Sequence, residues 1–217
     1  MNDMPTFDHV ALGDRPLVIC DVDDVVLEFL RPFEAYLAAS GSKLLPRTFR
    51  LHGNIISLET EAALQDQAVT QLIEDFFDAQ ERWQTPFAQA VDTLHALDKD
   101  FDVVFLTAMP PRFAEQRRRL LDQLQLRFPM IATETPKGPV VKAMHGDRPL
   151  PLAFIDDMAH NLHSVGQHMQ DCLLIHMMPD SEIHRLAPKP EGAVQRAADW
   201  PHAGEILNAH FKQPRKA

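Results

Sequence analysis

The chain has 217 residues, 45% of them hydrophobic, and its 31 acidic and 21 basic side chains give a formal net charge of −10. This length is sufficient for one substantial hydrophobic core, or for a core with a smaller lobe. The negative charge argues against general binding to nucleic acid or to anionic membranes, so we expect neither as a partner.

Short apolar runs predict strands that are buried on both faces. In chain order they are 17–20 "LVIC", 103–106 "VVFL", the weaker 130–132 "MIA", 152–155 "LAFI" and 172–176 "CLLIH". Runs without polar alternation are typical of a parallel sheet that helices cover on both sides. The sequence therefore predicts an α/β fold with an open, mainly parallel, Rossmann-like sheet, in which ligands bind at the carboxyl ends of the strands.

Helical patterns separate these strands. Three of them start at a proline, as helices often do: after Thr85-Pro86, after Pro110-Pro111 and at Trp200-Pro201. The run Arg117-Arg118-Arg119 lies among leucines, and we interpret it as the solvent-exposed face of a helix. His160 and His163 have helical spacing, and no cysteine accompanies them, so a polar helix face is the preferred interpretation over a zinc site.

The interval between the first two strands is unusually long. It spans roughly 80 residues, whereas a crossover between parallel strands needs only about a dozen. The pattern "FLRPFEAYLAAS" ends at Gly41, and an apolar stripe at helical spacing runs from Leu64 to Phe77. We therefore predict a small helical cap at 26–83, inserted into a core formed by 1–25 and 84–217. The stretch 41–55 between its helices predicts a loop.

Polar residues that can carry chemistry follow the predicted strands. Asp21, Asp23 and Asp24 follow the first strand, and Thr107 follows the second. Lys137 follows the weak strand, and Asp156-Asp157 follow the fourth. Because the carboxyl ends of parallel strands share one edge of a sheet, these side chains should converge.

Converging acids need a compensating charge. Carboxylates this close are hard to keep ionised together unless a cation lies among them. Hard oxygen ligands suit Mg²⁺, which is therefore the predicted cofactor. The metal would also neutralise a bound phosphate, while Thr107 and Lys137 contacted its other oxygens.

This ordered set resembles the haloacid dehalogenase superfamily, which is dominated by phosphatases that use an aspartate nucleophile. The segments that carry the resemblance are "LVICDVDDVV", "VVFLT", "KGPVVKAM" and "LAFIDD", and they extend from residue 17 to about 176. The first and fourth are specific, whereas the second and third are not specific alone. The predicted insertion lies where this superfamily carries its small helical C1-type cap.

The resemblance implies a role for each motif residue. Asp21 attacks phosphorus and becomes an aspartyl phosphate, while Asp23 protonates the leaving alcohol and then activates water. Mg²⁺ is bound by the Asp21 carboxylate, the Asp23 backbone carbonyl and Asp157, with Asp156 either a direct ligand or a support. Thr107 and the backbone amides after Asp21 and Thr107, the latter that of Ala108, hold the phosphoryl oxygens. Lys137 offsets the negative charge.

The resemblance favours an enzyme acting on a phosphate ester. Members of the superfamily that cleave carbon–halogen bonds lack the acid found here at Asp23. The expected activity is Mg²⁺-dependent hydrolysis of a small soluble phosphorylated metabolite. A 5'-nucleotidase acting on nucleoside monophosphates is an alternative, as is a non-catalytic or phospho-accepting signalling protein. Receiver domains, however, place their paired acids after the first strand and their accepting Asp after a central one.

Substrate choice depends on the predicted cap, because the core residues contact only the phosphoryl group and the metal. Arg47, Arg50 and His52 form a basic cluster in its loop and are candidates for selecting the substrate. The competing interpretation is an exposed loop whose arginines pair with the excess acid. If the cluster binds substrate, the leaving group should be polar or anionic.

Two further features concern the compartment. The sequence has no apolar run of bilayer length, and "MNDMPTFDHV" lacks the pattern of a signal peptide. Cys20 and Cys172 lie in apolar runs and are interpreted as buried free thiols in a reducing compartment. We therefore expect a cytoplasmic protein; the sequence does not indicate its oligomeric state.

Overall fold

The computed structural model describes residues 4–212 and contains a six-stranded parallel sheet. The strands of the chain are β1 (Leu17–Cys20), β2 (Ser42–Leu44), β3 (Ile55–Ser57), β4 (Asp102–Thr107), β5 (Met130–Ala132), β6 (Leu152–Asp156), β7 (Leu173–His176) and β8 (Val194–Arg196). The six strands of the sheet lie in the order β5-β4-β1-β6-β7-β8. The predicted fold class is confirmed, and the structure adds β8, which we did not predict.

Helices cover both faces of this sheet. They are α1 (Leu30–Ala39), α2 (Asp66–Asp78), α3 (Gln80–Trp83), α4 (Ala90–Leu97), α5 (Ala114–Gln123), α6 (Lys137–His145), α7 (Ala159–His168) and α8 (Trp200–Phe211). Val18 and Cys20 of β1 face a core layer with α4, α5 and α8, whereas Leu17 and Ile19 face a layer with α6 and α7. This double burial is why β1 is apolar throughout.

The register of the sheet places the motif residues at one edge. In the central pairs, Cys20 of β1 lies opposite Phe105 of β4 and Ile155 of β6. Asp21 follows Cys20 and Asp156 follows Ile155, so the two acids are neighbours across the sheet. Thr107 is the last residue of β4, on the other side of β1. From β1 the chain adds strands first on one side (β4, β5) and then on the other (β6, β7, β8). Ligands of open α/β sheets bind at such a switch in strand order.

The segment 26–83 provides all but one of the buried residues of a separate apolar cluster; the exception is Ile183. Its apolar contacts join α1 to α2 through Phe33, Leu37, Val69 and Phe76, with Ile55 among them. The prediction of a loop over 41–55 was wrong in part, because β2 and β3 pair there as an antiparallel hairpin. Strands of three residues are too short for alternation to reveal them.

Pairing between the two ends of this segment also displaces a predicted helix. Thr85-Pro86 does not start a helix; α4 begins at Ala90 instead. The amide of Glu28 donates to Thr85 O over 2.9 Å, and that of Phe87 donates to Val26 O over 3.0 Å. Extended backbone pairing has therefore overridden the local helix signal. Among residues 4–212, no helix is long and apolar enough to cross a membrane.

Candidate active site

Asp21 lies at the end of the central strand and is almost completely buried, with 5% of its surface exposed. Lys137 Nζ is 2.8 Å from Asp21 Oδ1 and 2.6 Å from Asp156 Oδ2, so one ammonium serves two carboxylates. Burial raises the pKa of Asp21 to about 7, although Lys137 opposes the shift, and the nearby Asp156 adds to it. Without a further cation, this carboxylate therefore resists ionisation.

Lys137 reaches the acids because it is the first residue of α6. The next residue, Gly138, lies so close to α7 that a Cβ there would collide with the Ser164 carbonyl oxygen. Burial alone would lower the pKa of Lys137, but Asp156 and Asp21 outweigh that effect and raise it. Lys137 thus remains charged, whereas Lys142 is exposed on the same helix.

The two adjacent acids after β6 have different surroundings. Asp156 accepts hydrogen bonds on both oxygens, from Lys137 and Asn161 and from the amide of Met158. The carboxylate of Asp157 accepts none from the described residues, although it is only 5% exposed. Burial and the neighbouring Asp156 raise the pKa of Asp157 well above its ordinary value. Oxygen atoms of Asp21, Asp156 and Asp157 lie within 4.8 Å of one another.

Asp23 is held by side chains from three directions. Its Oδ1 accepts from Arg117 Nη2 and from Gln84 Nε2, each over 2.8 Å, and its Oδ2 lies 3.5 Å from Thr107 Oγ1. The backbone carbonyl of Asp23 accepts no hydrogen bond among residues 4–212. The side chain of Asp23 is therefore oriented, while its carbonyl stays available.

Arg117 corrects the interpretation of the arginine run as an exposed face. It is fully buried; Arg118 is half-buried and Arg119 is exposed. Arg117 also donates to Gln80 Oε1 and lies 5.9 Å from the centre of the Phe77 ring. The sequence spacing could have indicated this burial, because Phe113, Arg117 and Leu121 lie four residues apart on the apolar side of the helix. Gln80 and Gln84, which surround it, carried no comparable signal.

Asp24 stands apart from the other acids. Its carboxylate accepts from the amides of Phe29 and Leu30, at 2.8 and 3.3 Å, and thus caps the start of α1. His184 Nε2 lies 3.2 Å from Asp24 Oδ2. Asp24 therefore connects the sheet edge to the inserted segment and is not a member of the carboxylate cluster.

Three backbone amides around Asp21 are without acceptors. Those of Val22 and Asp23, after β1, and that of Ala108, after β4, donate to no acceptor among the described residues. Grouped amides of this kind attract anions. These N–H dipoles and the charge of Lys137 give a positive electrostatic potential beside the carboxylates.

A cavity of about 340 Å³ opens above these residues. Its lining includes Asp21, Asp23, Asp157, Thr107 and Ala108, which we call the floor, and side chains of the inserted segment 26–83. Of the predicted basic cluster, Arg50 lines the cavity, whereas Arg47 and His52 do not. His52 instead lies 3.0 Å from Thr70 Oγ1.

Comparisons with known proteins identify the fold. No protein-family model matches the sequence, and no curated protein matches it. Solved structures do: a haloacid dehalogenase-like family hydrolase from Streptococcus pneumoniae superposes with a TM-score of 0.58 at 12% identity, over 92% of this chain and 99% of that one.

Two further structures are similar over the same extent. A predicted phosphoglycolate phosphatase from Haemophilus somnus has a TM-score of 0.60 at 13% identity, over 92% of this chain and 100% of that one. An L-2-haloacid dehalogenase has a TM-score of 0.59 at 13% identity, over 90% and 99%. Because these neighbours differ in activity, the likeness defines the architecture alone. The chain has the haloacid dehalogenase-like fold.

Proposed function

We propose that this protein is a phosphomonoester hydrolase that requires Mg²⁺, forms an aspartyl phosphate and acts on a small soluble phosphorylated metabolite. One observation carries the proposal. Buried carboxylates of Asp21, Asp156 and Asp157 lie close together around one ammonium, that of Lys137, and three nearby amides donate to no acceptor among the described residues. Carboxylates that outnumber their cation, beside unpaired donors, suit a site that binds a metal ion and an oxyanion together.

The donor set fits a hard divalent cation. Asp21 and Asp157 would provide carboxylate oxygens, and Asp23 would provide its free backbone carbonyl. Asp156 would support the site, because hydrogen bonds already occupy both of its oxygens. The bound ion would supply positive charge to the phosphoryl group.

Asp21 and Asp23 would divide the chemistry. A carboxylate oxygen of Asp21 forms a bond to phosphorus as the bond from phosphorus to the leaving oxygen breaks. Asp23 gives its proton to the leaving oxygen, then takes one from the water that attacks the aspartyl phosphate and releases inorganic phosphate. Arg117 and Gln84 would orient Asp23 through both steps.

The remaining residues would hold the transferring group. Amides of Val22, Asp23 and Ala108 would donate to its oxygens, and Thr107 would contribute its hydroxyl. Lys137, between Asp21 and Asp156, would act with the bound cation to favour the ionised nucleophile and would balance the phosphoryl charge.

Phosphate release from p-nitrophenyl phosphate tests this proposal. We expect turnover in Mg²⁺, loss of turnover in EDTA and recovery when Mg²⁺ is restored. Absence of turnover under every metal condition would favour a non-catalytic binding protein. Full activity in EDTA would exclude the metal-dependent mechanism.

A further inference from the structure

We propose that the leaving group of the natural substrate is apolar, with any polar substituent confined to its outer end. This inference rests on the proposed function and specifies the substrate class of the same site. It follows from the apolar wall of the cavity that the carboxylates also line.

Apolar side chains form that wall. Phe49 and Leu51 come from the hairpin connection, Phe77 from α2, Met109 from the loop after β4 and Ile183 from the segment after β7. Phe77, Met109 and Ile183 are at most 8% exposed. Since separate parts of the chain bring the same chemistry to one space, the wall is a built feature of the site. A ring that enters this space gains from leaving water.

Most of the buried polar atoms in the lining are already engaged. Asn161 Nδ2 donates to Asp156, and both ring nitrogens of His184 are bonded, to Asp24 and to Ser181, at 3.2 and 2.7 Å. Among these described side chains Asn161 Oδ1 is left as a single acceptor, so most hydroxyl groups of a sugar or polyol placed against the wall would lose water without gaining partners. Such unpaired polar groups are costly to bury.

Two polar side chains in the lining remain available, and both are exposed. Arg50 forms no salt bridge within residues 4–212, and His160 stands at the first turn of α7. A polar or anionic substituent is thus accommodated where the ligand meets solvent, and not against Phe49 or Leu51.

The test compares phosphate esters whose leaving alcohols have similar basicity. Benzyl phosphate carries a ring, whereas glycerol 3-phosphate and glucose 6-phosphate carry hydroxyl groups. We expect kcat/KM for benzyl phosphate to exceed both by about 10-fold or more. Equal or higher values for the hydroxylated esters would overturn the inference and leave the proposed function standing. If neither these esters nor p-nitrophenyl phosphate are hydrolysed, the proposed function fails and the inference fails with it.

Variants of the wall give a second readout, which is the ratio of kcat/KM for benzyl phosphate to that for glycerol 3-phosphate. Phe49→Ala should lower this ratio by about 10-fold. Leu51→Ala on the same wall provides the measurement if the first variant does not fold. Leu58→Ala is the matched control, because Leu58 is an exposed apolar residue outside the cavity. An unchanged ratio in both wall variants would contradict the proposal.

Discussion

The floor and the roof of the cavity are built by opposite means. The floor is polar, and the ends of regular parallel strands place its carboxylates within a few ångströms of one another. The roof, which is the apolar wall of Phe49, Leu51, Phe77, Met109 and Ile183, derives from parts of the chain that only tertiary packing brings together. Under the proposed function, the floor would bind the phosphoryl group that all phosphate esters share, and the roof would discriminate among their leaving groups. The predictions below test that division.

The largest expected effect is on the floor. Asp21→Asn should lower turnover by roughly 10⁴-fold or more, because an amide cannot serve as the nucleophile. Phosphate release measured with p-nitrophenyl phosphate and with an alkyl phosphate checks this. Asp171→Asn, at an exposed acid, is the control and should retain activity. Wild-type turnover in Asp21→Asn would refute the covalent mechanism.

Lys137→Ala should cost about 10²-fold or more in kcat on every substrate, because the lost charge faces the transferring group. Lys142→Ala, on the exposed face of the same helix, should cost little. Steady-state kinetics of the two variants test this prediction. A larger loss of kcat in Lys142→Ala than in Lys137→Ala would refute the assignment of Lys137 to the site.

Arg117 should affect activity indirectly, by orienting Asp23 for protonation of the leaving group. Arg117→Met should lower kcat/KM for an alkyl phosphate by about 10-fold or more, and less for p-nitrophenyl phosphate, whose leaving group needs little protonation. Arg117→Lys should recover part of the loss. Arg119→Met is the matched control, because Arg119 is exposed and pairs with Glu81. Equal losses on both esters would indicate that Arg117 is structural only.

The effect of Mg²⁺ on thermal stability should depend on pH. Burial raises the pKa of Asp21 to about 7 and raises that of Asp157, so the metal-free protein loses stability as pH rises and these acids ionise. In the proposed site, Mg²⁺ would bind the ionised form. It should therefore raise Tm more at about pH 8 than at about pH 6. An equal shift of Tm at both pH values would contradict the assignment of these acids as ligands.

The smallest expected effect is at the rim of the roof. Arg50→Ala should lower kcat/KM by about 10-fold for an ester with an anionic leaving group, as for one lost charged contact. It should change kcat/KM for p-nitrophenyl phosphate little. Arg47→Ala is the control, because Arg47 is exposed and lies outside the cavity. Equal effects of the two variants would assign the loop to stability and not to recognition.

The same division explains what could be predicted from sequence. Asp21, Thr107 and Asp156 each follow a strongly apolar strand, so local pattern and parallel-strand geometry were sufficient to bring them together. β8 escaped prediction because Val194–Arg196 is short and largely exposed.

The unpredicted parts of the site depend on contacts distant in sequence. Arg117 reaches Asp23 across 94 residues and Gln84 reaches it across 61, and nothing in the local pattern indicates either partner. The position of Arg50 at the cavity and of His52 away from it likewise follows from the hairpin, whose strands are too short to be recognised.

The paired backbone at the two ends of the inserted segment has a consequence for evolution and for engineering. Backbone hydrogen bonds join Glu28 to Thr85 and Phe87 to Val26. The chain therefore leaves the core and returns to it at adjacent points. Because the two points are already held together, the entropic cost of closing the loop depends little on the segment between them. A segment of another length or shape can take its place without shifting the sheet, provided that it also begins and ends side by side. Under the proposed function, the catalytic residues of the core could therefore be combined with different inserted segments, each selecting a different substrate.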